Sequence, residues 1–186
     1  MKQVEKGEYG YITYRRKIQT IKSVIAFAIV LAIFLTGFLI CKTRNNICTV
    51  MAVLCVLPAS RFLVALLLFV RHKTPPREQY DFLAEKGSHL ILLSDCVMTC
   101  KEKNIDVPFA VITDTCIYCY TENQAFDEKY FEENVSDFIK SCGDTVKVKL
   151  YKNYDEFSKR VSTLNGLEYQ QKKAERIKND FLILVI

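Results

Sequence analysis

Two long apolar runs, followed by short segments of alternating character, organise this chain. The first run spans about Ile21–Ile40, IKSVIAFAIVLAIFLTGFLI, with no charged residue after Lys22. A helix needs about 20 apolar residues to cross roughly 30 Å of hydrocarbon. This run is apolar all round, so it has no polar face to offer water. The second run, from about Ile47 to Val70, follows after the link CKTRNN. It contains Pro58 and Arg61, yet the apolar stretches on either side are long enough to predict a second span. Pro58 removes one backbone hydrogen bond and should kink the helix. So short a link predicts a tight turn and an antiparallel hairpin. A cleaved signal peptide is the competing reading of the first run. The long N-terminal flank, the length of the run, the lack of a small-x-small site and the second span argue against it.

Thr74-Pro75-Pro76 is a stiff break, and a soluble domain is expected from about Tyr80. Residues 81–87 read as a short helix ended by Gly87. SHLILLSDCVMTCK reads as a strand through about Cys100, and KEKNID as a polar turn. Residues 107–113 and 116–121 predict two strands joined at Asp114-Thr115, a hairpin. From Phe126 to Cys142, apolar residues at helical spacing alternate with acidic ones, predicting an amphipathic helix. TVKVKLY alternates as a half-exposed strand, and Tyr154 to about Leu164 predicts another helix, stopped by Asn165-Gly166. A charged helix follows, and FLILVI is expected as an edge strand or a helix end covering apolar surface. The predicted fold class is α+β. A transmembrane hairpin (about 21–40 and 47–70) follows a basic flank (1–20) and leads through a linker (71–79) into a domain at 80–186. That domain is a helix, a three-stranded antiparallel meander, a helix, a strand and a helix.

Charge sharpens this division. Residues 1–70 hold nine Lys/Arg against two Asp/Glu, about +7, whereas residues 71–186 hold seventeen against nineteen, about −2. The basic pI therefore belongs to the membrane flanks, and no nucleic-acid-binding face is expected on the domain. Arg15, Arg16, Lys17 and Lys22 precede the first span, and Arg71, His72, Lys73 and Arg77 follow the second. The turn has only Lys42 and Arg44, so the positive-inside bias predicts a multi-pass protein of the cell membrane with both termini cytoplasmic. Tyr9, Tyr11 and Tyr14 suit an interfacial flank facing anionic lipid. Arg61, near mid-membrane, either snorkels or meets carbonyls freed by Pro58, or else marks an ion path, a lipid headgroup contact or a partner's acidic residue.

Candidate chemistry in the domain is sparse. Cys96, Cys100, Cys116 and Cys119 form C-x3-C and C-x2-C pairs that could hold zinc. Their strand-like flanks, with residues three apart facing opposite ways, favour buried thiols in a reducing compartment. Asp95, Asp106 and Glu122, with Asp114, fall on or beside the meander, where carboxylates could hold Mg²⁺. Turns and strand ends also favour Asp. The chain has no Gly-rich phosphate loop, G-x-S-x-G elbow or H-E-x-x-H, and its two histidines, His72 and His89, suggest no triad. No cofactor is indicated.

The order helix, meander, helix, strand is similar to the core of restriction-endonuclease-like folds, and IDVPFAVITDTCIYCYTEN resembles the nuclease-related domain attached to some bacterial membrane proteins. The resemblance covers residues 81–165 and implies a metal-binding Asp followed by Glu-x-Lys on the next strand. Asp106 falls at the Asp position. The Glu-x-Lys position reads Thr121-Glu122-Asn123, and a slip to Glu122 would turn that side chain to the other face. The resemblance thus points to a non-catalytic descendant. The hairpin, with LPASR at its centre, resembles uncharacterised small two-span membrane proteins of Gram-positive bacteria, which implies no activity. The expected function is a membrane-anchored, non-enzymatic interaction module. The hairpin would anchor it in the bilayer, with the α+β domain binding a protein partner at the cytoplasmic face or the chain forming a homo-oligomer, and with Tyr118, Tyr120, Tyr151 and Tyr154 as contact candidates. The alternatives are an accessory subunit using the hairpin and Arg61, and a metal-dependent nuclease or hydrolase.

Overall fold

The computed structural model of the protein describes residues 4–41, 47–100, 103–166 and 168–186. The expected turn at 42–46, and Lys101 and Glu102 of the expected polar turn, lie outside the described residues. The chain forms two compact units, Ile12–Lys73 and Met1–Tyr11 with Thr74–Ile186.

The first unit is built from two helices, α1 (Tyr11–Cys41) and α2 (Ile47–Val70). Helix α1 starts at Tyr11, well ahead of the apolar run, and takes the basic flank into its first turns. Helix α2 runs unbroken through Pro58. Both are long and apolar enough to cross a membrane, and only 11% of each apolar window is buried. A core helix of a water-soluble protein would be mostly covered, so these two fit a two-span membrane protein. The helices lie side by side as a hairpin, sharing a cavity of about 400 Å³ lined by Phe27, Val30, Leu31 and Phe34 of α1 and Ala52, Val53 and Val56 of α2. Buried positions on α2 include Ala52 and Ala59, and on α1 Ser23 and Gly37. Small residues repeated at multiples of seven let two backbones approach closely, as helices packed in lipid require.

The second unit contains α3 (Arg77–Lys86), β1 (Ile91–Cys100), β2 (Lys103–Ile112), β3 (Cys116–Tyr120), α4 (Glu128–Ser141), β4 (Lys147–Tyr151), α5 (Tyr154–Leu164) and α6 (Gln171–Ile183). The sheet order is β1-β2-β3-β4. The first three strands are an antiparallel meander, and β4 lies parallel to β3. A parallel neighbour requires a crossover, which α4 supplies. The expected polar turn at 101–106 is shorter than its sequence suggests, because β2 already begins at Lys103.

Helices cover both faces of the sheet. On one, Phe131, Val135 and Ile139 of α4 and Ile177 and Phe181 of α6 pack against Cys96, Met98, Val107, Ile117, Cys119 and Leu150. On the other, Leu83 of α3 and Phe157, Val161 and Leu164 of α5 pack against Phe109, Val111, Tyr118 and Tyr120. Local signals start and stop these helices. The Asp127 carboxylate accepts from the Lys129 and Tyr130 amides at the start of α4, and the Asn153 side chain accepts from the Asp155 amide at the start of α5. Gly143, at φ +101°, takes the left-handed conformation that lets the chain leave α4.

The first two strands change face halfway. In β1, Leu93 and Cys96 belong to the same core although they are three apart, and in β2 so do Val107 and Ala110. Strict alternation would put each pair on opposite faces. The switch falls where Asp95 takes φ 55° between the paired Ser94–Phe109 and Cys96–Val107 positions, facing Pro108. Proline has no N–H for the ladder, so a conformational break there loses no hydrogen bond from Pro108 itself.

The outer edge of β1 is covered by both ends of the chain. The Ser94 amide donates to the Gly7 carbonyl at 2.8 Å. Further along, the Thr99 amide donates to the Leu184 carbonyl and the Ile186 amide to the Val97 carbonyl. Lys6 Nζ donates to the Val185 carbonyl at 2.7 Å, joining the two covers. The C-terminal FLILVI is thus the end of α6 plus a short extended cover over an edge that would otherwise template strand pairing.

Candidate functional site

Asp95 is a buried carboxylate that sits where the strands change face. Its side chain is buried, and Oδ2 accepts from the Gly10 amide at 2.6 Å. Residues 4–10 form a strap that reaches this point by a glycine at each bend, Gly7 at φ +84° and Gly10 at φ +88°. Tyr9 on the strap donates its hydroxyl to the Pro75 carbonyl at 3.0 Å and packs its ring 4.8 Å from Tyr80 of α3. Burial, then the Asp95 carboxylate, pushes the Tyr9 phenol above its ordinary pKa. A carboxylate held by a backbone N–H is anchored rather than presented, so Asp95 fixes the strap on the sheet while Tyr9 of the strap packs against α3.

The other two carboxylates do not join it as a cluster. Asp106 projects from an exposed position of β2, and Glu122 lies exposed just beyond β3. At the position where the nuclease resemblance requires a Glu, the buried Thr121 hydroxyl donates to the Asp106 carbonyl at 2.8 Å and accepts from the Asn123 amide. That side chain closes a strand end. Among the described residues no group of three or more His, Cys, Asp or Glu is placed to hold a metal ion.

The four cysteines split three to one. Cys96, Cys100 and Cys119 enter the core beneath α4 and α6, while Cys116 packs at the margin of the opposite core. The cause is strand alternation, which sends Cys116 and Cys119, three apart on β3, to opposite faces. Burial raises the Cys96 thiol to about 12 and the Cys100 thiol to about 11. Cys119 is also pushed well up, by burial first and then by Cys96 and Cys100. These are neutral thiols filling a core, without the thiolate character that metal binding or nucleophilic attack needs.

The tyrosines expected as contact residues are mostly core. Tyr118 and Tyr120 are buried, and Tyr151 and Tyr154 half-buried, because β3 is an interior strand whose second face is roofed by α5. With Phe109 and Phe157 they make an aromatic cluster whose centroids lie 5.7–6.4 Å apart. Arg160 caps it, donating from Nη2 to the Tyr118 hydroxyl at 3.0 Å. Tyr154 does reach a groove between α3 and α5, where Glu78, Asp155 and the exposed Phe82 are its neighbours.

Arg61 lies exposed on α2, on the same stripe as Leu57 and Val64, and pairs with no acid among the described residues. At the centre of a membrane helix an arginine costs about 2.5–3.5 kcal/mol on insertion scales, and more in simulations. The strap and the face switch at Asp95 are the features that sequence reading misses. The pair Gly7-x-x-Gly10 just ahead of α1 is the signal that could have pointed to the strap.

No family model, curated protein or solved structure matches this chain.

Proposed function

We propose that this is a two-span protein of the cell membrane whose α+β domain works at the cytoplasmic face as a non-enzymatic module binding a protein partner. One observation carries the reading. The residues preceding the first apolar helix and those following the second belong to one folded unit, tied at Gly7–Ser94, Gly10–Asp95 and Tyr9–Pro75. A domain closed from both ends of the hairpin requires both ends on one side of the bilayer, which is what an even number of spans delivers. The distribution of Lys and Arg supports the cytoplasmic side.

Support for binding over catalysis comes from how the candidate residues are used. Asp95 anchors the strap, Thr121 closes a strand end, and the cysteines fill a core, so each has a structural task. The groove beside Phe82, Tyr154, Glu78 and Asp155 offers an apolar anchor rimmed by negative charge, suited to a basic segment of a partner.

Cys142 is an exposed thiol at the end of α4 and serves as a reporter. With Cys142 as the only cysteine, a membrane-impermeant maleimide should label the protein only after cells are opened, whereas an Asn45→Cys variant should label in intact cells. Labelling of Cys142 in intact cells would reverse the orientation. The binding part is tested by co-purification. Phe82→Asp should lower recovery of the partner several-fold, and unchanged recovery would remove the groove from the interface.

A further inference from the structure

We infer that Arg61 is the recognition point for a transmembrane partner that carries an Asp or Glu near the middle of its own membrane helix. The inference rests on α2 being a membrane span, and is independent of which side the domain occupies. Neither apolar run contains an acidic residue, so neither span supplies a counter-charge for Arg61. The structure places Arg61 on the exposed stripe with Leu57 and Val64, both more than 60% exposed. Ala52 and Ala59, by contrast, are buried. The guanidinium is therefore offered outward.

Depth and direction separate a partner's carboxylate from a lipid phosphate. Arg61 lies ten residues before Arg71, about 15 Å along the helix at 1.5 Å per residue. That is about half of a ~30 Å hydrocarbon core when Arg71 sits at the interface. Helical side chains lean toward the helix N-terminus. For Arg61 this is the Ile47 end, fourteen residues or about 21 Å away. Snorkelling serves residues near helix ends, whereas this side chain leans away from the nearer interface. A second copy meeting on the same stripe would oppose two arginines, so the complementary surface is a helix with a carboxylate.

The test places a photo-crosslinking residue at Leu57 in the full-length protein, in membranes of the cell that makes it. The inference expects a protein adduct mapping to a membrane span that contains Asp or Glu. The adduct should fall about tenfold in Arg61→Leu and persist in Arg61→Lys, as expected for an interhelical polar pair. It should be lost in Arg61→Asp and return when the partner's acid is changed to Arg. Adducts with lipid alone, adducts with a second copy of this chain, or a protein adduct unaffected by Arg61→Leu would each overturn it. Alkaline carbonate extraction of the same membranes separates the two levels. Release of the protein would sink the membrane reading itself, whereas retention with a lipid-only adduct would sink only the partner.

Discussion

Asp144 shows how one side chain makes stability depend on pH. Its buried carboxylate accepts from Arg176 Nε at 2.7 Å and Nη2 at 2.5 Å, tying the loop after α4 to α6. That hydrogen-bonded pairing holds the carboxyl below its ordinary pKa. Its stabilising contribution is therefore complete above the unfolded value of about 4 and disappears as pH falls through the lower folded value. Asp144→Asn should be less stable than the parent at pH 7 and converge with it in acid, as read by urea midpoints at a series of pH values. A constant gap down to pH 2 would mean the carboxylate charge is not what stabilises. The strap offers a second residue-level test. A Cβ at Gly7 would lie 2.9 Å from Leu93 Cδ2 and 3.1 Å from Leu182 Cδ2, whereas nothing lies within 4 Å at Gly10. Both sit at positive φ, so either Gly→Ala change should cost about 1–2 kcal/mol from backbone conformation alone. Gly7→Ala should cost more because the leucine tips must also move. Equal losses by chemical denaturation would show that the strap packs more loosely than these distances imply.

Elements differ in how far their sequence specifies them. Helices α4 and α5 are legible because their apolar spacing is strong and Asp127 and Asn153 cap them locally. Strand β3 and the hairpin turn before it are legible for a similar reason, and Thr113 closes that turn, donating its hydroxyl to the Cys116 carbonyl at 2.8 Å. The separation of Cys116 from Cys119 follows from a spacing of three on a strand. What sequence could not supply was non-local. Nothing in CIYCY says that helices roof both faces, so Tyr118 and Tyr120 look like surface residues until α5 is in place. The face switch depends on a left-handed Asp95 held by an amide 85 positions away. The edge cover after α6 is legible as an edge strand or helix end, but its partner, β1, is not. Removing Leu184–Ile186 takes away the bonds to Thr99, Val97 and Lys6 and the buried Val185. The loss should be about 3–7 kcal/mol from three hydrogen bonds and one valine. It should also leave the C-terminal half of β1 open to pairing, so the shortened protein should self-associate. Light scattering in detergent, compared with the full chain, measures this, and an unchanged monomer would show that the edge is protected by other means.

At the scale of the molecule, the hairpin is an insertion in a domain rather than an appendage before it. The chain lays down the strap, leaves for residues 12–73, and returns at Thr74 to build the rest of the same unit. The two crossing points are close, since the Tyr9 hydroxyl reaches the Pro75 carbonyl and the Tyr9 ring packs on Tyr80. A short flexible link should therefore replace the whole hairpin. Joining Met1–Tyr11 to Thr74–Ile186 through about eight Gly and Ser residues, which span roughly 15 Å, should give a water-soluble domain. Thr74–Ile186 alone should fold less well, because it loses the Gly10 amide on Asp95 together with the Ser94–Gly7, Tyr9–Pro75 and Lys6–Val185 bonds. Each such bond contributes about 0.5–1.5 kcal/mol, so the four together contribute about 2–6 kcal/mol. The expected difference in urea midpoint corresponds to about that amount, and adding Asp95→Asn to both chains should narrow it by weakening the charge-assisted bond. If the two chains unfold together, the strap rides on the domain without closing it, and the ends of the hairpin would be free to move independently of the sheet.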